Sequence, residues 1–257
     1  KKRGGHAPYC RACAPYNAAM SAEPRIHLLI PAAGSGSRAG TPIPKQYQDL
    51  AGLPLVLHTL QALARVPNVS TVGVVVSPDD DRMQALVQAA PGLAHVQVWP
   101  VGGDTRAASV SAGLLKLAQQ GAQAHDWVLV HDAARCLVQP EWVQNLIQAC
   151  RQDAVGGLLA IPLPDTLKQA DEQRRVTATL SRDDKWLAQT PQMFRLGVLC
   201  HALATAGLKV TDEASAIEAQ GLHPLLVQGS ALNIKVTYPD DLRLAAWVLT
   251  AQQEKRT

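Results

Sequence analysis

Short apolar runs alternate along the chain with segments whose apolar residues recur at helical spacing. The runs are typical of strands buried on both faces of a parallel sheet, and they cover residues 26–30, 72–76, 95–99, 127–131 and 155–161. The helical segments cover residues 53–66, 77–90, 105–120 and 140–151. This alternation predicts an α/β fold with a doubly wound, mostly parallel, Rossmann-like sheet, in which ligands bind at the carboxyl ends of the strands.

Capping residues mark the ends of these helices. Pro54 lies in the first turn of its helix, where the missing N–H costs nothing. Ser77, Pro78 and the acids after them predict the start of the next helix. Asp104 is expected to open the third helix, and Gly121 is expected to close it.

The pattern changes after residue 161. Residues 165–187 alternate polar and apolar side chains around a charged turn at 171–175, which predicts a protruding β-hairpin arm. An isolated two-stranded hairpin is barely stable in water. The arm therefore either lies on a sheet of its own or docks on another subunit, and we favour docking as the basis of a homodimer. Further elements are expected as helices at 196–206 and 212–220, strands around 225–227 and 232–236, and a helix from Pro239.

Composition and charge exclude two classes of protein. The 257 residues are 47% hydrophobic and 18% charged, so the chain can bury a substantial core and is not intrinsically disordered. The formal net charge of +3 comes from residues 1–25, which hold five basic residues and one acidic residue, so the rest carries −1. The body therefore offers no basis for nucleic-acid binding. We expect residues 1–24 to be a disordered extension, with Met20 a possible natural start, and residues 25–257 to form one domain.

Cysteine usage and hydropathy indicate a cytoplasmic protein. The chain has five cysteines, and Cys136, Cys150 and Cys200 lie in apolar segments, which favours buried reduced thiols over a disulfide framework. Cys10 and Cys13 have CxxC spacing, but no second pair completes a zinc site, so we interpret them as incidental. No apolar run reaches the roughly 18 residues of a membrane span, so no membrane association is expected.

The strongest candidate for chemistry is a glycine-rich loop after the first strand. Residues 31–38 read PAAGSGSR, and PKQ follows at 44–46. Such a loop presents backbone N–H groups to an anion, and Arg38 and Lys45 add positive charge. The glycine spacing fits neither a dinucleotide fingerprint nor a P-loop. An ordinary turn with two surface cations is the alternative, but the paired cations favour anion binding.

Three further segments carry candidate residues. Asp132 follows the strand at 127–131, where one carboxylate and substrate phosphates could hold Mg²⁺; a turn or capping role is the alternative. His131 is interpreted as structural. The segment GGDTRAAS, which includes Gly103 and Ser109, could read a base edge. Lys235 lies among β-branched residues, where it either faces solvent or points toward the loop phosphates.

Taken together, PAAGSGSR, PKQ, GGDTRAAS, HDAAR, TPQ, TDEASA and NIKVT resemble the 2-C-methyl-D-erythritol 4-phosphate cytidylyltransferase family of the non-mevalonate isoprenoid pathway. The resemblance runs from Ile26 to the last helix. It implies transfer of CMP from CTP to the polyol phosphate with Mg²⁺ and release of pyrophosphate, in a homodimer whose arm reaches the neighbouring subunit. At 257 residues, we expect the version without a fused cyclodiphosphate synthase domain. A relative acting on another polyol phosphate, such as ribitol 5-phosphate, and a noncatalytic nucleotide-binding module are the alternatives.

The resemblance also implies roles for individual residues. Those implied to be catalytic are Arg38, Lys45 and Lys235. Those implied to bind the nucleotide are Pro31, Ala32, Ala33, Gly34, Gly103, Asp104 and Ser109. Those implied to bind the acceptor are Arg135, Thr166, Arg182, Thr190 and Thr211. Asp132 is the implied metal ligand.

Overall fold

The computed structural model describes residues 23–34, 43–206 and 210–254. Its strands are β1 (Ile26–Pro31), β2 (Asp49–Leu50), β3 (Leu53–Pro54), β4 (Thr71–Val75), β5 (Val96–Trp99), β6 (Trp127–Val130), β7 (Gly156–Pro162), β8 (Leu167–Ala170), β9 (Val176–Leu180), β10 (Trp186–Arg195) and β11 (Leu225–Gln228). Its α-helices are α1 (Leu55–Leu63), α2 (Met83–Ala89), α3 (Arg106–Gln119), α4 (Pro140–Cys150), α5 (Leu196–Thr205), α6 (Glu213–Glu218) and α7 (Pro239–Glu254). A 3-10 helix covers Lys45–Tyr47.

Seven strands form the central sheet, in the order β11–β7–β10–β6–β1–β4–β5. The pairs formed by β1 with β4 and β6, by β4 with β5, and by β11 with β7 are parallel. β10 runs antiparallel to both of its neighbours, β6 and β7. The predicted α/β fold with a mostly parallel sheet is thus confirmed.

Helices cover both faces of this sheet, which explains the uninterrupted apolar strands. Side chains of α1, α2 and α4 pack on one face, and those of α3, α5 and α6 pack on the other. Within β1, Leu28 and Ile30 join the first cluster whereas Leu29 joins the second, because side chains alternate along a strand. A Cβ at Gly113 of α3 would lie 2.5 Å from a methyl carbon of Leu29, so a larger residue there would force Leu29 to shift.

Strand assignments differ from the sequence expectations in three places. The short antiparallel pair of β2 and β3 was not expected, and the helix expected from residue 53 begins at Leu55, after Pro54. β10 was not anticipated, because the buried polar residues Gln189, Thr190 and Gln192 interrupt its apolar pattern. The strand expected at 232–236 is wrong. This segment is irregular and lies against the loop after β6, where the Val236 N–H donates to the Ala134 carbonyl at 2.9 Å.

Two further helix starts also differ. α2 begins at Met83 rather than at Ser77, because the Asp80 carboxylate accepts hydrogen bonds from the backbone N–H groups of Met83 and Arg82. The N-cap of α3 is Thr105 and not Asp104, since the Thr105 hydroxyl accepts from Ala108 N at 3.1 Å.

The hairpin lies apart from the central sheet. β8 and β9 pair only with each other, antiparallel, and almost all of their residues are exposed. Its proposed part in a dimer stays a prediction. The expected extension at 1–24 falls, apart from its last two residues, outside the described residues, and so do Cys10 and Cys13. None of the helices in the described ranges has the length and apolar composition of a membrane span.

Candidate functional site

A cleft of about 370 Å³ opens at the carboxyl ends of the parallel strands. The loops after β1, β5 and β6 line it together with the segment that carries Lys235. The sequence-predicted residues that line it are Pro31, Ala32, Ala33, Gly34, Lys45, Gly103, Asp104, Ser109, Asp132 and Lys235. Arg38 lies outside the described residues. The cleft is also lined by six residues with no role expected from the sequence, namely Gln46, Thr105, Arg106, Ala133, Ala134 and Thr237.

The loops after β1 and β5 approach each other closely. Ala32 N donates to Val75 O at 2.7 Å, and Gly102 N donates to Val76 O at 2.8 Å. A Cβ at Gly102 would lie 2.3 Å from the Ala33 Cβ and 2.7 Å from Val76 O. Only glycine therefore permits this approach, which places the two loops on the same wall of the cleft.

The 3-10 helix that carries Lys45 is held on several sides. Lys45 Nζ donates to Val236 O at 2.5 Å, and Gln46 Nε2 donates to Ala32 O at 2.9 Å. The Tyr47 hydroxyl donates to the Asp80 carboxylate in the loop after β4. These contacts orient the Lys45 ammonium along the cleft wall before any ligand binds.

The glycine-rich loop after β5 is folded around a buried hydroxyl. Ser109 is 2% exposed, and its Oγ accepts from Gly103 N at 3.2 Å and donates to Thr105 O at 3.0 Å. Gly103 and Asp104 are exposed at the cleft. Ser109 therefore shapes the loop from beneath, and Gly103 and Asp104 form its surface at the cleft.

Asp132 is the electrostatic centre of the cleft. Its Oδ1 accepts from Arg106 Nε at 2.8 Å, its Oδ2 lies 2.8 Å from Lys235 Nζ, and Arg135 Nε is 3.9 Å from the same oxygen. Burial alone would raise the pKa of Asp132, but Arg106 and Lys235 hold that pKa well below its usual range. The carboxylate is therefore ionised at neutral pH, and it faces the cleft instead of capping a helix.

Behind Arg106 lies a second carboxylate, which the sequence analysis did not consider as a site residue. Arg106 Nη1 and Nη2 donate to the two carboxylate oxygens of Glu213 at 2.6 and 3.0 Å. Glu213 is 1% exposed. Burial raises its pKa, and the charge of Arg106 opposes that shift. Arg106 lies in the motif GGDTRAAS and Glu213 in the motif TDEASA, each at the start of a helix. Those positions were the signal in the sequence that could have indicated a role for both residues.

The buried side chains of Thr190 and His131 form a hydrogen-bonded pair beneath Asp132. Thr190 Oγ1 accepts from Asp132 N at 3.0 Å and lies 3.1 Å from His131 Nδ1, while His131 Nε2 donates to Arg135 O at 3.2 Å. Burial lowers the pKa of His131 to about 4, so its imidazole is neutral at pH 7. Thr190 is 4% exposed and lies beneath the cleft instead of lining it. His131 has the structural position that the sequence analysis assigned to it.

The other residues implied to bind the acceptor do not line the cleft of the same chain. Arg135 donates to Asn233 O at 2.6 Å and to Ala188 O at 3.3 Å, and so braces the segment before Lys235. Thr166 and Arg182 are exposed near the base of the hairpin. Thr211 is exposed at the start of α6, where its N–H donates to Ser215 Oγ at 3.1 Å.

The donor set at the cleft limits the kind of cation that it could bind. Across residues 23–34, 43–206 and 210–254, no group of three or more His, Cys, Asp or Glu side chains is arranged to hold a metal ion. Among the described residues, Asp104 and Asp132 bring carboxylates to the cleft, and Asp132 is the one that lies between the basic side chains of Arg106 and Lys235. One carboxylate fits Mg²⁺ that keeps several waters and takes its remaining ligands from substrate phosphates.

Comparison with known sequences gives one consistent family. The profile described as IspD, 2-C-methyl-D-erythritol 4-phosphate cytidylyltransferase, matches residues 26–251. A bifunctional enzyme IspD/IspF of Albidiferax ferrireducens is 61% identical over 228 residues, which are 88% of this chain and 53% of that protein. The chain thus spans about half the length of this relative. The 2-C-methyl-D-erythritol 4-phosphate cytidylyltransferase of Chromobacterium violaceum is 53% identical over 227 residues, 88% of this chain and 98% of that protein.

Solved structures agree with the sequence comparison. A crystal structure of 4-diphosphocytidyl-2C-methyl-D-erythritol synthase superposes with a TM-score of 0.79 at 40% identity, covering 89% of this chain and all of that one. The 2-C-methyl-D-erythritol 4-phosphate cytidylyltransferase of Thermus thermophilus superposes with a TM-score of 0.71 at 30% identity, covering 88% of this chain and 99% of that one.

Proposed function

Because the chain belongs to the 2-C-methyl-D-erythritol 4-phosphate cytidylyltransferase family, we propose that it transfers CMP from CTP to 2-C-methyl-D-erythritol 4-phosphate in the cleft described above. The enzyme is a nucleotidyltransferase of isoprenoid precursor biosynthesis. The observation that carries the assignment of the site is the convergence of Lys45, Asp132 and Lys235 on a cleft walled by two glycine-containing loops.

The nucleotide lies across the loops after β1 and β5. Backbone N–H groups of Ala33 and Gly34 and the Lys45 ammonium face the triphosphate, and Gly103 and Asp104 face the cytosine. This arrangement uses the carboxyl edge of the sheet, where doubly wound folds bind their ligands. The proposed role of Arg38 rests on the family resemblance alone.

Asp132 holds the Mg²⁺ that accompanies the nucleotide. When bound, the ion neutralises charge on the phosphate oxygens and orients the α-phosphorus. The ionised state of Asp132 and its position among the cleft residues support this role. Lys235 lies beside Asp132. This lysine therefore offers a positive charge to the acceptor phosphate as it approaches the α-phosphorus.

The reaction needs no general base from the protein. An acceptor phosphate oxygen is already anionic at neutral pH, and it attacks the α-phosphorus in line while the bond to the bridging oxygen breaks and pyrophosphate leaves. Catalysis therefore consists of bringing two anions together and neutralising the charge that develops on phosphorus. This explains why the charged residues are Lys, Arg and Asp. Neutral, buried His131 takes no part in proton transfer.

The hairpin completes the site of a neighbouring subunit in a homodimer. Two of its apolar residues are largely exposed, Val176 at 63% and Leu180 at 43%. Thr166 and Arg182, which flank the hairpin strands, are exposed and do not line the cleft of their own chain. Docking on a second copy would bury the apolar residues and bring both polar side chains to the partner cleft.

Pyrophosphate release tests the proposed function. We expect release that requires CTP, 2-C-methyl-D-erythritol 4-phosphate and Mg²⁺ together, and little release with ribitol 5-phosphate. Efficient release with ribitol 5-phosphate but not with 2-C-methyl-D-erythritol 4-phosphate would show that the acceptor is another polyol phosphate. Binding of CTP without any release would instead support a noncatalytic nucleotide-binding module. The cytoplasmic location stays a prediction.

A further inference from the structure

Glu213 is a fully buried carboxylate whose charged partner belongs to the cleft. It begins α6, and both of its oxygens accept from Arg106, the first residue of α3. A buried ion pair is weak evidence for a stabilising role, because apolar side chains of similar volume often stabilise a fold equally well. The pair therefore invites a functional explanation.

The same guanidinium contacts Asp132. Two nitrogens of Arg106 are held by Glu213, and the third, Nε, donates to Asp132 Oδ1 at 2.8 Å. Because a guanidinium is planar and rigid, a bidentate contact on one edge fixes the direction of the remaining N–H. The orientation of Asp132 Oδ1 therefore depends on Glu213 through Arg106.

Neighbouring contacts hold Glu213 itself in place. Asp212 caps α6 by accepting from Ser215 N at 2.9 Å. Gln192 of β10 donates to the Asp212 carboxylate at 2.8 Å and accepts from Ala214 N at 2.7 Å. The residues on both sides of Glu213 are thus hydrogen-bonded to the central sheet, so its carboxylate is a fixed reference point for Arg106.

We propose that Glu213 is a positioning residue of the transferase reaction, which acts through Arg106 to orient Asp132 toward the Mg²⁺–nucleotide complex. This inference rests on the proposed function. Groups that orient a metal ligand from behind contribute about 10-fold to 100-fold in metal affinity or activity. Glu213→Gln is therefore expected to lower kcat/KM by about that factor. The matched control is Glu218→Gln, which alters an exposed glutamate at the other end of the same helix and should leave kcat/KM unchanged.

An apolar replacement of the pair separates positioning from mere structural support. The double variant Arg106→Met with Glu213→Leu leaves no unpaired buried charge, so it should fold even if Glu213→Gln does not. If Glu213 positions Asp132, the double variant folds with the melting temperature of the wild type but stays as slow as Arg106→Met alone. Recovery of wild-type turnover in the double variant would show a purely structural role and overturn the proposal.

Nucleotide binding gives a second readout that does not depend on turnover. By isothermal titration calorimetry without acceptor, Glu213→Gln should weaken CTP binding about tenfold in Mg²⁺ and leave it unchanged in EDTA. Equal affinities of variant and wild type in Mg²⁺ would overturn the positioning role. If the wild type releases no pyrophosphate, the proposed function and this inference both fail. If the wild type is active and Glu213→Gln matches it in binding and turnover, only this inference fails.

Discussion

Replacement of Lys45 by alanine should separate catalysis from folding. The ammonium donates a hydrogen bond to Val236 O at 2.5 Å, and the residue is half-buried. Loss of a partly exposed hydrogen bond costs about 1 kcal/mol, which corresponds to roughly 2–4 °C in melting temperature for a domain of this size. The contacts of Gln46 with Ala32 and of Tyr47 with Asp80 remain and keep the 3-10 helix in place.

The effect on turnover should be much larger. In the proposed function the Lys45 ammonium faces charge that develops during phosphoryl transfer. Removing one such preorganised group typically lowers kcat by about 10²–10³, or about 2.7–4 kcal/mol. Lys235 and Mg²⁺ would still neutralise part of the charge, so a residual rate should be measurable.

Pyrophosphate release at saturating CTP gives kcat, and thermal unfolding gives the melting temperature. Lys116→Ala is the matched control, since Lys116 is also half-buried but lies in the last turn of α3, at the end away from the cleft. A kcat of Lys45→Ala within about threefold of the wild type would refute the reasoning, because that change is far below the loss expected for one such group.

Three further predictions test other parts of the site and fold. Asp132→Asn should lower kcat by at least about 10²-fold and raise the Mg²⁺ concentration needed for half-maximal rate; an unchanged Mg²⁺ titration would contradict its role as metal ligand. Mixed dimers of Arg182→Ala and Lys45→Ala protomers should regain activity, because one composite site is then intact; no recovery would argue against a shared site. Burial lowers the pKa of His27 below its usual 6.5, against the opposing effect of Asp126. The unfolded chain then binds more protons near pH 6, so the urea midpoint should rise as the pH increases from 5 to 7.5, and His27→Gln should flatten that rise.

The alternation of apolar runs and helical segments was enough to predict most of the sheet. Strands such as β1 and β6 are apolar along their length, apart from His27 in β1, because helices cover both faces, and this pattern is visible without coordinates. β10 was not predicted, because it lacks such an apolar pattern. Its buried residues Gln189, Thr190 and Gln192 are polar, and they form hydrogen bonds with Ser230, Asp132 and Asp212, respectively.

Candidate residues were predictable where a local rule pointed to chemistry. The glycine-rich loops and Asp132 follow strands directly, so the rule that ligands bind at the carboxyl edge located them. Lys235 was recognised as a lysine among β-branched residues, although the segment around it forms no strand. Thr190 lies beneath the cleft instead of lining it. The sequence could not show this, because the burial of Thr190 depends on how β10 packs between β6 and β7.

The order of residues along this chain determined the fold class and the strand ends that carry chemistry, since both arise from local periodicity and turn residues. The contact between Arg106 and Glu213 was decided only by the tertiary structure. Their separation of 107 positions means that no local pattern relates them. The packing of α3 and α6 on one face of the sheet makes the contact possible, and the burial of Glu213 leaves its carboxylate dependent on the bidentate hydrogen bonds from Arg106.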